Sequence, residues 1–185
     1  MPNGIVFDTD FLSAICLVDK FDLVKSLYPN YEYIVPFSVR NELLNFNYKN
    51  SKKIQTNYHK YRISFDLKEV NEIMIDDPFF EIWSRLRAGG FKGGPSIDPG
   101  EAEVIALATY YKNIVASDNL KDVRKYSQIL HFDLITISQC IYRNYKLGFI
   151  DFNTADVVFS TLINNGYKIA RQNTFQDYLD FLEEK

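Results

Sequence analysis

The strongest constraint on the fold lies near the start of the chain, in Gly4-Ile5-Val6-Phe7-Asp8-Thr9-Asp10-Phe11-Leu12. Gly4 to Phe7 suit a strand covered on both faces, as the central strand of a parallel sheet is. They run straight into two acids, and Phe11 and Leu12 then open a helical pattern. In an open parallel sheet, ligands bind in the crevice at the C-terminal strand ends. A carboxylate there is held rigidly and partly desolvated, which suits a metal site. Asp8-Thr9-Asp10 is also readable as a helix cap after an apolar strand. The choice turns on whether other carboxylates occupy comparable places.

Several do. Asn113-Ile114-Val115-Ala116-Ser117-Asp118 is another strand ending in an acid, with Asp122 four residues on. Asp98-Pro99-Gly100-Glu101 reads as a helix start: a cap, a proline in the first turn, and a glutamate three residues after the cap. The helix behind it, Ala102 to Tyr110, is apolar nearly all round and is expected to be well buried. Glu101 shares a face with Ile105 and Ala108, while Glu103 points to another side. Capping alone would also account for Glu101. Phe37-Ser38 opens a further helix with Ser38 as candidate cap, and Glu42 sits among Val39, Leu43 and Phe46 instead of opposite them.

The remaining apolar runs fill in an alternating pattern. Residues 31–36, 65–70 and 132–137 read as strands. Residues 11–17, 21–27, 76–87 and 154–165 read as helices, the last with Asn153 as its cap. Another helix ends at Leu147-Gly148, and a final one starts at Asn173 with Gln176 in capping-box position. This alternation predicts an α/β fold: three α/β/α layers around a central, mainly parallel five-stranded sheet. A length of 185 residues, 46% of them hydrophobic, fits a single domain over 1–185 with C-terminal helices, about 139–185, packing on it.

No apolar run reaches a membrane span, and no basic-then-apolar leader begins the chain, so a cytoplasmic protein without a membrane partner is expected. Cys16 and Cys140 stand alone in apolar settings and read as buried thiols. A net charge of −3 argues against a general nucleic-acid coat protein. One segment departs from the acidic balance. Tyr48 to Arg62 carries Lys49, Lys52, Lys53, His59, Lys60 and Arg62, interleaved with Tyr48, Tyr58 and Tyr61, and no acid. It reads either as a solvated helix face or as a patch that meets phosphates and stacks bases. Gly89 to Pro95 reads as a mobile loop. It lacks the lysine and hydroxyl pair of a phosphate-binding loop.

Asp8 and Asp118 are therefore expected at strand ends, with Glu42 and Glu101 in early helical turns on the same side. Four carboxylates in one crevice repel each other, and a divalent cation removes that cost. Oxygen donors without His or Cys suit Mg2+ or Mn2+. Such ions activate water and neutralise charge on a phosphodiester. His59 and His131 each stand alone and read as structural.

The chain resembles PIN-domain proteins, a group of metal-dependent ribonucleases. The resemblance rests on Phe7-Asp8-Thr9-Asp10-Phe11-Leu12, Arg40-Asn41-Glu42-Leu43, Gly100-Glu101-Ala102-Glu103 running on to Ala108, and Ser117-Asp118-Asn119 with Asp122. The Gly-Glu-Ala-Glu form is similar to a subgroup that includes VapC-type toxins. Leu147 to Ile150 and Asn165 to Tyr167 extend the likeness over nearly the whole chain. By this resemblance the catalytic and metal-binding acids are Asp8, Glu42, Glu101 and Asp118, with Asp122 an outer acid. The implied activity is a Mg2+- or Mn2+-dependent endoribonuclease acting on RNA. A small antitoxin partner and a homodimer are implied with it. Lys52, Lys53, Arg62, Lys121 and Arg124 are the candidate substrate-binding cations. The family usually has Asn where this chain has Asp10, and the chain is longer than the compact toxins.

Two other resemblances compete. Asp8-Thr9-Asp10 with Asp118 and Asp122 is similar to a haloacid dehalogenase-like phosphatase, in which Asp8 would be the nucleophile. That reading gives Glu42 and Glu101 no role and lacks the expected threonine. A receiver domain would need a lysine between Phe132 and Cys140, where there is none. A PIN fold kept only for protein binding, with little or no catalysis, is the remaining alternative.

Overall fold

The computed structural model describes residues 4–45, 47, 50–91, 96–121, 123–169 and 172–184. Among these, five strands form one parallel sheet: β1 (Gly4–Phe7), β2 (Glu32–Val35), β3 (Lys68–Glu69), β4 (Ile114–Ala116) and β5 (Leu134–Ile135). Their spatial order is β3-β2-β1-β4-β5. The chain builds outward from β1 on one side and then returns to build outward on the other. The order therefore reverses between β1 and β4, the kind of switch point that opens a crevice at the strand ends. Helices pack around the sheet, and the three-layer α/β/α architecture read from the sequence is the one observed.

β1 is central and buried over its whole length, as its unbroken apolar sequence requires. It feeds α1 (Thr9–Val18), whose Phe11, Leu12, Ala14 and Ile15 are fully buried. α1 stops at Asp19, which takes the left-handed conformation (φ 53°) and accepts bonds from Lys60 Nζ and Tyr61 Oη. A short α2 (Asp22–Lys25) leads to β2.

α3 (Phe37–Asn45) follows β2 directly. Ser38 lies inside it and is not its cap. The carboxylate of Glu103, one turn into the buried helix described next, accepts from the backbone N–H groups of Phe37 (3.1 Å) and Ser38 (2.9 Å). A charge placed at a helix N-terminus satisfies donors that the helix itself leaves open. Val39 and Leu43 are buried as their spacing predicts, and Phe46 falls outside the described residues.

The basic segment forms α4 (Ser51–Ser64), packed on α1 and α3. Tyr58 and Tyr61 are core residues, at 0% and 1% exposure, and Phe21, Tyr61 and Phe65 meet in one aromatic cluster. Base stacking by these two tyrosines is thereby excluded, because their rings are already covered by protein. Tyr48 and Lys49 lie outside the described residues.

After β3 come α5 (Phe80–Arg87) and α6 (Pro99–Tyr111), packed on each other. The segment between them that reads as a loop includes 92–95, outside the described residues. α6 starts as the sequence predicts: Asp98 Oδ1 accepts from Glu101 N at 2.9 Å, and Pro99 occupies the first turn. It is buried from Glu101 to Ala108.

α7 (Val123–Leu130) was not anticipated as a separate helix. Its tie to the core is narrow, with only Val123 and Tyr126 buried. α8 (Ile137–Lys146) is fixed by a capping box between Thr136 and Gln139. α9 (Phe152–Asn164) is capped by Asp151, not Asn153, through a 2.7 Å bond from Thr154 N. α10 (Phe175–Glu183) is capped by Thr174, not Asn173, and Gln176 bonds Asp180 instead of closing a capping box. In each case the residue whose side chain sits three positions before an open N–H takes the cap. α9 packs on α8, α10 and α1. Cys16 and Cys140 are both free and buried. Among the described residues, no helix is long and apolar enough to cross a membrane.

Candidate active site

Parallel pairing decides which acids meet. Phe7 of β1 is in register with Ala116 of β4, and Asp8 N continues the ladder to Ala116 O at 2.9 Å. Asp8 and Ser117 therefore emerge side by side at the switch point. Ser117 Oγ donates to Asp8 Oδ2 at 2.6 Å, and Thr9 N donates to Asp8 Oδ1 at 2.8 Å. Both oxygens of Asp8 are held, and the residue is 8% exposed.

Asp118 comes one residue later and is half-buried. Its carboxylate accepts from Ile137 N, the first residue of α8, at 3.2 Å. Glu42 reaches the same place from α3, where it accepts from the Thr9 hydroxyl. Its Oε1 lies 3.4 Å from where a Cβ on Gly100 would stand, so the start of α6 adjoins it. Glu42 is exposed, whereas Glu101 is buried and accepts from the Asn119 side-chain amide. Asp8, Glu42 and Glu101 line one small cleft of about 130 Å³, together with Asp10, Asp98 and Asn119. Four of the acids expected to converge are thus brought to one end of the sheet, three in a shared cleft and Asp118 beside it. Asp122, the expected outer acid, lies outside the described residues.

The electrostatics agree with the crowding. Burial pushes the Asp8 carboxyl up to about 6, helped by the negative charges of Asp10 and Glu42 and opposed by the bonds from Ser117 and Thr9. Burial pushes Asp118 further, to about 8, with Asp10 and Asp8 adding to it and the Ile137 N–H opposing. Asp10 acts on both, so the extra acid of this chain belongs to the cluster and does more than open a helix. Sequence reasoning left Asp10 between two roles. It missed Ser117, Thr9 and Asn119, whose short polar side chains orient the acids, although each directly adjoins an acid in sequence.

A divalent cation fits this donor set in its chemistry. The donors are all carboxylate oxygens, and each is held by a neighbour at one or two points while keeping free lone pairs. The unbalanced charge that raises Asp8 and Asp118 is what such an ion would offset. As the side chains stand, no three of the described acids are close enough to hold one ion together.

Asp118 also forms the edge of a second, larger cleft of about 800 Å³. Lys121 and Arg124 line it, as does Lys168, which sequence reading did not single out. Lys52, Lys53 and Arg62 line neither cleft. Arg62 pairs with Glu69 at 3.7 Å, and the charge of Lys53 acts on Asp19, at the end of α1 remote from Asp8.

A parallel α/β sheet with clustered acids at its switch point defines a class of protein that binds ligands at that crevice. Residues 4–184 match the family described as a PIN domain, and the chain belongs to that family. PIN domains are typically nucleases, and those nucleases generally use divalent metals. This membership replaces the phosphatase and receiver resemblances. The chain has no match among curated proteins.

Proposed function

We propose that the protein is a metal-dependent endoribonuclease that hydrolyses RNA phosphodiester bonds at the acidic cleft, with Mg2+ or Mn2+ as cofactor. The observation that carries this reading is the meeting of Asp8 and Asp118 at the switch point, each desolvated enough to sit well above the usual carboxylate range. A bound ion there would lower the pKa of its water and neutralise charge on the phosphoryl oxygens. Asp8 and Asp118 would ligate it directly. Glu42 and Glu101 would ligate it or accept a proton from the attacking water. Thr9 and Asn119 hold those two glutamates in place, which limits the reorganisation needed during reaction. Asp122 is an outer acid on this reading.

The toxin role is a finer proposal: an antitoxin acting at this site would have to cover the acidic cleft. Self-association as a homodimer is proposed from family resemblance, and mass measurement in solution decides it.

The test is cleavage of a mixed-sequence RNA by the purified protein with Mg2+, with Mn2+, and with chelator. Metal-dependent cleavage that disappears in Asp8→Asn supports the reading. Tight binding of a protein partner that survives Asp8→Asn, with no RNA cleaved under any condition, favours a PIN fold kept for protein binding.

A further inference from the structure

A third cleft lies at the far end of the sheet from the acids, where β4 and β5 begin. Its volume is about 330 Å³, and the C-terminal ends of α6 and α7 bound it. Ala108, Leu130 and Phe132 give it apolar walls. Two polar residues of the lining, Thr109 and Asn113, have side chains with nothing to bond. The Thr109 hydroxyl oxygen is buried without a hydrogen-bond partner among the described residues. Asn113 is 5% exposed, and no hydrogen bond among the described residues engages its side-chain amide. Buried polar groups in folded proteins are nearly always paired, so two open ones on one concavity point to a ligand that bonds them.

The rim is polar. Lys112, His131 and Asp133 are exposed there, and no ion pair or hydrogen bond among the described residues engages their side chains. Lys112 and His131 are also where the chain leaves α6 and α7, both in the left-handed conformation, at φ 55° and 59°. Glycine is preferred at such a position, because a side chain there meets the backbone. Among the described residues, the other left-handed positions are taken by Gly, Asp or Asn, and Lys112 and His131 alone carry a basic side chain. A cation at a helix C-terminus complements the helix dipole. That role alone would leave the open hydroxyl and amide behind the rim without a purpose.

We infer that this cleft binds a free nucleoside monophosphate, with its phosphate on Lys112 and His131 and its base in the apolar interior. A base has apolar faces, and its edge carries adjacent donors and acceptors that a hydroxyl and a carboxamide can satisfy. Asp133 offers an acceptor for the ribose hydroxyls, the use an acid has in dinucleotide-binding folds. The volume, about 330 Å³, lies at the lower end of the range of about 300–1,000 Å³ typical of small-ligand sites, so one nucleotide fits and a chain does not. Asn113 directly precedes β4, and Ser117 and Asp118 directly follow it. The site is therefore separated from the acidic cleft by the length of that strand. The inference does not depend on the nuclease reading.

The test is calorimetric titration of the full chain, in chelator, with AMP, GMP, CMP and UMP separately, and with each nucleoside and inorganic phosphate as controls. At least one monophosphate should bind one-to-one, tighter than its nucleoside or phosphate alone by about tenfold or more, the worth of a charge-assisted hydrogen bond. Lys112→Gly should weaken the monophosphate by roughly tenfold and leave the nucleoside unchanged. Its thermal midpoint should hold or rise, since glycine suits the left-handed position. Thr109→Val should weaken monophosphate and nucleoside alike, by roughly fivefold. Its unliganded midpoint should also hold or rise, because an unpaired buried hydroxyl is gone. Asp8→Asn with Asp118→Asn should leave the affinity unchanged.

Absence of binding by all four monophosphates at millimolar concentration overturns the inference. So does inorganic phosphate that binds as tightly as any of them, since the interior would then hold no base. Affinity that neither Lys112→Gly nor Thr109→Val alters, or that the Asp8→Asn, Asp118→Asn double variant abolishes, overturns it as well. The last result would put the nucleotide in the acidic cleft. None of these outcomes bears on whether the protein cleaves RNA with metal, which is measured separately.

Discussion

The two clefts that meet at Asp118 differ in both material and origin. The acidic one is small, about 130 Å³, and its residues come from strand ends and early helical turns around the switch point. The other is about 800 Å³ and is assembled from the segment after β4, the start of α8, the chain before α10, and α10 itself. The first depends on backbone register: once Phe7 pairs with Ala116, Asp8 and Ser117 have no choice but to be neighbours. The second depends on how helices that are not consecutive in the chain, α8 and α10, come to rest near each other. A centre that does chemistry needs rigid placement, and one that seats a chain needs breadth. Here the sheet gives the acidic cleft its rigidity, and the C-terminal helices give the other its breadth.

The largest effect that would break this contrast is loss of cleavage. Asp8→Asn or Asp118→Asn should reduce metal-dependent RNA cleavage by on the order of 100-fold or more, since each removes charge stabilisation at the reacting centre. Lys168→Ala should act on substrate affinity and leave the saturated rate little changed. An acid and a cation that proved interchangeable in their kinetic signatures would erase the distinction between the clefts.

The next effect is on stability against pH. Asp8 moves from 3.8 in the unfolded chain to about 6, and Asp118 from 3.8 to about 8. Both are raised, so the folded protein binds more protons than the unfolded chain between these values. The stability contributed by these two groups in metal-free protein should therefore be full near pH 4 and be lost as pH rises toward 8, by on the order of several kcal/mol. Urea midpoints in chelator across that range measure it. Metal should flatten the decline. A metal-free midpoint that rises with pH would contradict the cluster.

Glu103 sharpens the comparison from inside α6. It lies two residues from Glu101 and is similarly buried, yet its carboxylate caps α3. Glu103→Ala should lower stability by about 1–2 kcal/mol through loss of the cap, while the metal-induced rise in midpoint persists. Glu101→Ala should do the reverse.

The smallest effect concerns α4. Lys53→Ala should change RNA affinity by less than about twofold, well below the change at Lys121, because Lys53 lines neither cleft. A larger change would restore the Tyr48–Arg62 segment as a substrate surface.

These differences follow what a sequence can carry. The strand at Gly4–Phe7, the α6 start at Asp98-Pro99 and the acids at strand ends are local signals, because pattern, turn chemistry and charge all sit within a few residues. Glu103 as the cap of α3 was not legible, since its partners are more than sixty residues away. Tyr58 and Tyr61 illustrate the same limit. Alternation of tyrosine with lysine looks alike on a stacking surface and on an amphipathic helix, and only the position of α1 shows that the rings are covered. Lys168 carried no signal at all, because it shares a cleft with Lys121 only once the chain after α9 has packed into place. The caps at Asp151 and Thr174 were each missed by one or two residues, the usual ambiguity where several capping residue types adjoin.

The most direct test of the account is the thermal midpoint of wild type and of the Asp8→Asn, Asp118→Asn double variant, in chelator and then with Mn2+. Clustered carboxylates predict that Mn2+ raises the wild-type midpoint with occupancy. They predict equally that the double variant is at least as stable as wild type without metal and does not respond to it. If Mn2+ leaves wild type unmoved and the two substitutions lower its midpoint, the acids are caps and hydrogen-bond partners, and the metal-dependent nuclease reading fails.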